Sequence, residues 1–146
     1  MPGETTGGPG RIIGRREWVE LPEWGIARLR AKVDTGARTS AIHVSSIEDL
    51  EGGRLRFEVV RREKPHRRTV IVEADHVREA RVRPSTGRTQ RRPVVRTVGR
   101  IGSWEREIEM TLVCREGMLC RMLLGRRALT GLLVDPSRKD VLGGAG

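Results

Sequence analysis

A chain of 146 residues is long enough for one domain with a hydrophobic core and too short for two ordinary domains. Aromatic residues make up only 3% of the chain, so we expect a core of Val, Ile, Leu and Ala. The formal net charge of +10 is concentrated in residues 61–100, which hold 13 Lys or Arg against 4 Asp or Glu. Such a segment either attracts acidic partners, among them RNA, phosphate and polyglutamate, or forms a solvated basic face.

Composition also limits the compartment and the covalent framework. The two cysteines, Cys114 and Cys120, are too few for a disulfide framework and favour free thiols. Residues 1–10 lack an apolar core and no stretch of the chain is long and apolar enough to cross a bilayer, so we expect neither a signal peptide nor a membrane span. We therefore expect a cytoplasmic protein with a disordered leader (1–10), one domain (11–142) and a flexible tail (143–146).

Strand-like alternation of apolar and polar side chains dominates the chain. Residues 27–34 predict a half-buried strand that ends at Asp34, with the inward side formed by Ala27, Leu29, Ala31 and Val33. Residues 107–112 predict a second, with Ile108, Met110 and Leu112 inward. Shorter strand candidates are residues 18–21, 41–44, 55–60, 69–72, 94–98, 121–124 and 139–142. With one short helix over residues 126–132, this pattern predicts an all-β fold, a small closed barrel or a sandwich.

The turn Asp34-Thr35-Gly36-Ala37 follows the first of these strands and carries the candidate chemistry. Aspartic peptide hydrolysis needs two carboxylates that share one proton, because like charges so close together cannot both ionise. The Thr35 hydroxyl can hold the loop, Gly36 lets backbone approach the carboxylate, and Ala37 is small enough to lie beneath a substrate. The sequence has no internal repeat, so the chain supplies one half of such a site.

A second motif, Leu123-Leu124-Gly125-Arg126, makes the chain resemble the retropepsins, the family of the retroviral proteases. That family pairs a strand-borne Asp-Thr-Gly-Ala with a late Gly-Arg element that leads into a short helix. The resemblance implies a closed barrel and a homodimer with one Asp34 from each subunit. It also implies a flap with its tip near Ser85, Thr86 and Gly87, and dimer contacts from residues 12–20 and 138–142.

A closer resemblance is to a bacterial family labelled ATP-dependent zinc protease, associated with the ribosomal-protein glutamate ligase RimK. It rests on residues 18–22, on residues 31–43 (AKVDTGARTSAIH), and on residues 121–126 and 133–138. This resemblance implies a retropepsin-like domain and, in some settings, processing of the glutamate tails added to a ribosomal protein.

Arg38 departs from the retroviral pattern, in which an Asp at this place pairs with the Arg of the Gly-Arg motif. Arg38 and Arg126 therefore meet as like charges unless Glu17 or Asp135 supplies an acid. Alternatively, the two guanidinium groups bind the carboxylates of an acidic substrate in a bidentate manner. Both interpretations stay open at the level of sequence.

The sequence contains no motif for binding zinc or ATP, although the label of this family names both. There is no H-E-x-x-H, the histidines His43, His66 and His76 are isolated, and no phosphate-binding G-x-x-x-x-G-K-[ST] occurs. We therefore expect no metal and no cofactor. The three tryptophans, Trp18, Trp24 and Trp104, are expected to cap the core rather than to stack on bases.

The sequence thus predicts an aspartic endopeptidase that acts on an acidic peptide, with Asp34 catalytic and Thr35 and Gly36 supporting it. The substrate-binding candidates are Ala37, Arg38, Ser85, Thr86, Gly87 and Arg126. One alternative is a monomeric, non-catalytic domain whose basic segment binds an acidic tail or RNA. Another is a zinc-dependent peptidase.

Overall fold

The computed structural model describes residues 11–62, 64–83, 87–114 and 121–144. The elements within these ranges are β1 (Ile12–Gly14), β2 (Arg16–Leu21), a 3-10 turn (Pro22–Trp24), β3 (Ile26–Val33), β4 (Ser40–Leu50), β5 (Arg54–Arg62), β6 (Arg68–Asp75), β7 (Arg78–Val82), β8 (Gln90–Ile101), β9 (Trp104–Val113), β10 (Met122–Leu124), α1 (Arg126–Leu129) and β11 (Leu133–Asp135). The all-β class with one short helix is confirmed. The leader, the flap tip at Ser85 and Thr86, and Cys120 lie outside the described residues.

The strand ring closes through β10, the short strand that precedes the Gly-Arg motif. Strand β10 pairs in parallel with β3 and antiparallel with β4, and the path β10-β3-β2-β8-β9-β4 returns to β10 through six strands. The predicted closure therefore takes the form of this ring. Because β3 and β10 are neighbours, the Asp-Thr-Gly turn and the Gly-Arg motif are brought to the same end of the sheet.

The alternation read from the sequence mostly agrees with burial. In β9 the side chains of Ile108, Met110 and Leu112 are buried, as predicted. In β3 Leu29 and Ala31 are buried, but Ala27 is exposed. The β2–β3 ladder has a register shift between Val19 and Leu21, which breaks the alternation at this end of β3.

Two hairpins extend the sheet beyond the ring. Strands β5 and β6 form one, which is joined to β4. Strand β7, which the periodicity did not predict, pairs antiparallel with β8 and forms the other. The predicted flap tip lies in the connection of this second hairpin, so the hairpin itself is present where the resemblance placed it.

The predicted final strand, residues 139–142, is wrong. The last strand is β11, which pairs in parallel with β1 in a separate two-stranded sheet. The backbone amides of Val141, Leu142 and Gly143 donate to the carboxylate of Glu17 instead of to a neighbouring strand. The helix is also shorter than predicted, since Thr130 leaves the helical conformation at ψ 127° and Gly131 has a φ of 87°.

Aliphatic side chains form most of the core, which also contains the aromatic residues Phe57, Trp24 and Trp104. Trp24 meets Phe57 edge to face at 5.3 Å between ring centroids. The prediction for Trp18 is wrong, because this side chain is 43% exposed. Strand β2 buries Glu17, Val19 and Leu21, and the alternation then turns Trp18 outward.

Within the described residues, no helix is long and apolar enough to cross a membrane.

Glu109 on β9 connects several elements near the Gly-Arg motif. Its Oε1 accepts from Nη2 of Arg78 on β7 at 2.7 Å, and its Oε2 accepts from Nη2 of Arg96 on β8 at 3.1 Å. Arg127 of α1 lies 3.9 Å from Oε1. Hydrogen bonds from Arg78, ahead of those from Arg96, lower the pKa of the Glu109 carboxyl.

We expect Glu109→Gln to lower the free energy of unfolding by about 1–2 kcal/mol at pH 7, since two charge-assisted contacts are lost from a partly buried site. Because the folded pKa is depressed, this contribution is complete above the ordinary value of 4.5 and is lost as the pH falls through the folded pKa. Urea unfolding at several pH values between 7 and 3 measures it. A penalty that is unchanged at pH 3 would contradict the assignment.

The matched control is Glu48→Gln, which removes the exposed partner of Arg56. That side chain is 62% exposed, and exposed ion pairs contribute little, so the control is expected to change stability by less than about 1 kcal/mol.

Candidate active site

The Asp-Thr-Gly turn is held by its own backbone and by β10. The amide of Asp34 donates to the carbonyl of Leu124 at 2.9 Å, which continues the β3–β10 pairing past the end of both strands. The amide of Ala37 donates to the carbonyl of Asp34 at 3.2 Å, and the amide of Gly36 donates to Oδ1 of Asp34 at 2.9 Å. The carboxylate is thus oriented by the loop that follows it.

Gly36 leaves room for this close approach of backbone and carboxylate. A Cβ placed on Gly36 would lie 3.2 Å from Oδ1 of Asp34, closer than nine in ten contacts of real Cβ atoms. A side chain here would push against the oxygen that the Gly36 amide binds. This distance agrees with the role suggested from the sequence, in which Gly36 lets backbone approach the carboxylate.

The Gly-Arg motif fastens the same loop from the other side. The amide of Arg126 donates to the carbonyl of Ala37 at 2.8 Å, and the amide of Arg127 donates to that of Arg38 at 3.1 Å. The Arg126 guanidinium Nη1 donates to the carbonyl of Thr35 at 3.1 Å. Arg126 therefore holds the peptide that follows the candidate catalytic residue.

Gly125 allows the two segments to pack. A Cβ at this position would lie 2.6 Å from the backbone carbon and oxygen of Thr39, a distance that real Cβ atoms do not show. The amide of Gly125 donates to the hydroxyl of the buried Ser40 at 3.1 Å. Sequence reasoning missed Ser40, although a serine six residues after Asp34, at the start of an apolar run, was a signal that could have marked it.

Neither acid considered as an internal partner is hydrogen-bonded to Arg126. Glu17 is fully buried and accepts hydrogen bonds from backbone amides. Asp135 accepts from the hydroxyl and the amide of Ser137 at 2.6 and 3.0 Å, and these hydrogen bonds lower the pKa of its carboxyl. Within the described ranges, the side-chain partner of Arg126 is the Thr35 carbonyl, so the interpretation through Glu17 or Asp135 is replaced by a loop contact.

Most of the turn faces solvent. Asp34 and Ala37 are partly exposed, and Thr35, Gly36, Arg38 and Arg126 are exposed. Gly87, at the far end of the flap connection, is also exposed and has a φ of 88°, a conformation that favours glycine. The turn therefore presents one carboxylate on an open surface, where a second subunit or a peptide has access to it.

The candidate metal ligands are dispersed. Within the described ranges, no three His, Cys, Asp or Glu side chains converge on a point where an ion would bind. His43 is buried on β4, His66 is exposed, and His76 lies beside Glu79. Cys114 is a free thiol whose pKa is raised by partial burial.

An Asp-Thr-Gly turn pinned to a Gly-Arg segment on an all-β sheet ring is the arrangement of retropepsin-like proteins. Residues 12–143 match the RimB-like family, described as retropepsin-like aspartic endopeptidase RimB, and the chain belongs to this family. At the level of the family, this supports a hydrolase of the aspartic peptidase class.

Several relatives and one solved structure match nearly the same length of the chain. The chain is 37% identical over 139 residues to a probable alpha-L-glutamate ligase of Shewanella pealeana, a match that covers 92% of this chain and 30% of the relative. A second probable alpha-L-glutamate ligase, from Desulfotalea psychrophila, is 35% identical over 137 residues, with 91% and 30% covered. The chain therefore spans less than a third of the length of these relatives. A crystal structure of a Legionella pneumophila protein of unknown function is similar with a TM-score of 0.76 and 28% identity, over 91% of this chain and 98% of that one.

Proposed function

We propose that the protein is an aspartic endopeptidase that works as a homodimer, with one Asp34 from each subunit. The observation that carries the proposal is the turn itself: the Asp34 carboxylate is oriented by the Gly36 amide and the loop is fastened by Arg126. One carboxylate does not supply both the base and the acid of this chemistry, so a second subunit is required.

The mechanism follows from two carboxylates that share one proton. The ionised member activates a water molecule, and the protonated member polarises the scissile carbonyl. The apparent pKa values that govern activity then belong to the pair, so both acidic and alkaline pH are expected to inactivate it. In this proposal the flap is the segment around Ser85 to Gly87, between β7 and β8, which closes over the substrate and excludes bulk water.

An exposed apolar pair supports a dimer contact at the terminal sheet. Ile12 of β1 lies directly opposite Leu133 of β11, and their side chains are 39% and 59% exposed. Side chains of this size are usually covered when they are adjacent at a sheet edge. Ile12 lies in the first of the two interface candidates, residues 12–20 and 138–142, and the pair adds β11 to them.

The substrate proposed is a glutamate-rich peptide, such as a glutamate tail on a ribosomal protein. The net charge of +10 favours an acidic partner, and Arg38, which follows the turn, and Arg126, which contacts it, are both exposed. Relatives that carry a region similar to this chain are named probable alpha-L-glutamate ligases and are about three times as long. A peptidase region inside a ligase chain fits an enzyme pair that adds and removes the same residues.

The experiment that tests the proposal is hydrolysis of a peptide panel, including oligo-glutamate tails, across pH 4 to 8. Wild-type protein is expected to cleave acidic members, and Asp34→Asn is expected to lower the rate by at least about 10³-fold, since one carboxylate of the pair is lost. A chelator is expected to have no effect. Cleavage that survives Asp34→Asn and stops with chelator would replace the proposal with a zinc peptidase.

A non-catalytic binding domain is the second candidate, and a basic pocket described below favours it. This candidate would be supported if wild-type protein binds the acidic peptides of the panel but cleaves none of them. The protein must be shown to be dimeric under the assay conditions.

A further inference from the structure

A pocket of about 780 Å³ lies away from the Asp-Thr-Gly turn and is lined almost wholly by cations. Six arginines, one lysine and Trp18 form its surface, and no Asp or Glu lines it among the residues that the structure describes. A volume of this size is in the range of pockets that hold a small ligand or part of an extended chain.

Two parts of the fold that are distant in sequence form the pocket. Trp18 on β2 lies directly opposite Arg30 on β3, and Arg28 follows two residues away on the same strand. The opposite wall comes from the hairpin of β5 and β6, with Arg61 near its tip and Arg68 at the start of β6. The concentration of positive charge is therefore produced by the tertiary fold.

Three of the pocket arginines have no compensating carboxylate among the described residues. Arg28, Arg61 and Arg68 have no carboxylate partner within the described ranges, whereas Arg30 pairs with Asp140. Several other arginines of the sheet lie beside acids: Arg54 pairs with Asp75, Arg56 with Glu48 and Glu73, and Arg100 with Glu20 and Glu105. Like charges this close repel each other, so a bound anion would relieve a cost that the free protein bears.

Trp18 holds two of the guanidinium groups in place. The Cζ of Arg28 lies 4.0 Å from the centroid of the indole ring, and that of Arg30 lies 4.8 Å from it. Stacking engages the flat face of a guanidinium and leaves its N–H groups, which point outward in the plane, to donate to carboxylates. Two guanidinium groups already lie over the ring that a nucleic-acid base would need for stacking, which favours an acidic peptide over RNA.

We propose that this pocket is a second, non-catalytic site that binds the glutamate run of a substrate while the scissile bond lies at Asp34. This inference rests on the proposed function for its choice of ligand. Arg30 precedes Asp34 by four residues along β3, a distance of about 13 Å in a strand. An extended run of about four to six residues spans this gap, so only longer acidic substrates reach the pocket.

The test uses the Asp34→Asn protein, which binds without cleaving, and a fluorescently labelled peptide of ten glutamates as the probe. Changing Arg61 and Arg68 together to Gln is expected to weaken binding by about tenfold, because two charge-assisted contacts are lost. The matched control changes Arg54 and Arg56 to Gln, with equal charge loss on the same hairpin outside the pocket, and is expected to weaken binding by less than about twofold. Thermal unfolding checks that both variants fold, and removing repelling charges is expected to leave the pocket variant at least as stable.

Equal weakening in the two variants would overturn the pocket site and leave only general charge attraction. The choice of ligand would be overturned if the Arg61 and Arg68 substitutions weakened binding of a ten-nucleotide RNA but not binding of the peptide.

Activity separates this inference from the proposed function. In protein with Asp34 intact, the pocket variant is expected to lower kcat/KM about tenfold for a long acidic substrate and to leave a short one unchanged. If the pocket variant lowers kcat/KM no more for the long substrate than for the short one, the pocket site is overturned but the peptidase is not. Absence of any cleavage would overturn the peptidase, and the binding measurement would still decide the pocket.

Discussion

At a fixed total protein concentration, an equal mixture of wild-type and Asp34→Asn subunits is expected to show about one quarter of the peptidase activity of wild-type protein alone. Each active site needs one Asp34 from each subunit, so only dimers with two wild-type chains are active. Random pairing makes their share the square of the wild-type fraction. A protein active as a monomer would instead keep about half of its activity.

The measurement requires that subunits exchange, which is achieved by refolding the mixture together from urea. Asp49→Asn provides the control, because Asp49 is exposed on β4, outside the turn, and its mixtures are expected to keep full activity. Activity that falls linearly with the wild-type fraction would contradict the shared site and would restrict the chemistry to one chain.

Replacing Glu17 with Gln is expected to lower the free energy of unfolding by about 3 kcal/mol. The Glu17 Oε2 accepts from the amides of Gly14, Val141 and Leu142 at 2.8, 3.0 and 2.9 Å, and Oε1 accepts from the amide of Gly143 at 3.1 Å. A glutamine has only one acceptor oxygen, and its amide nitrogen would face an N–H donor in a site with no exposure. At least one of the four amides would then have no acceptor.

Urea unfolding measures the stability change, and hydrogen exchange locates it. The amides of residues 141–143 are expected to exchange faster in Glu17→Gln, because their acceptor is weakened. Glu20→Gln, on the same strand, removes a carboxylate that is 40% exposed and paired with Arg100, and should cost less than about 1 kcal/mol. Similar losses in the two variants would show that Glu17 does not anchor residues 141–143.

Glu17 also affects the proposed dimer. It connects residues 14 and 141–143, both next to the pairing of β1 with β11, whose exposed apolar side chains we assign to the subunit contact. We therefore expect Glu17→Gln to weaken dimerisation as well as folding, which sedimentation at several protein concentrations would detect.

Local sequence patterns were enough for the strands that shape the candidate site. The alternation that ends at Asp34 and the one through Ile108, Met110 and Leu112 follow from the two-residue period of a strand with one buried side. The Asp-Thr-Gly turn and the glycines Gly36 and Gly125 belong to short sequence motifs, and both glycines act through close contacts within these motifs and the residues next to them. The family resemblance rests on the same runs.

The sequence by itself thus determined the all-β class, the strand that carries Asp34 and the two motifs that meet at its end. Only the tertiary structure decided that Glu17 is buried while Trp18 is exposed, because alternation separates two sides of a strand without saying which one tolerates a charge. It alone replaced the predicted strand over residues 139–142 by a segment fastened to Glu17. It alone placed Arg28 and Arg61 in the lining of one pocket, since the long-range arrangement of β3 and a distant hairpin is not encoded in any local pattern.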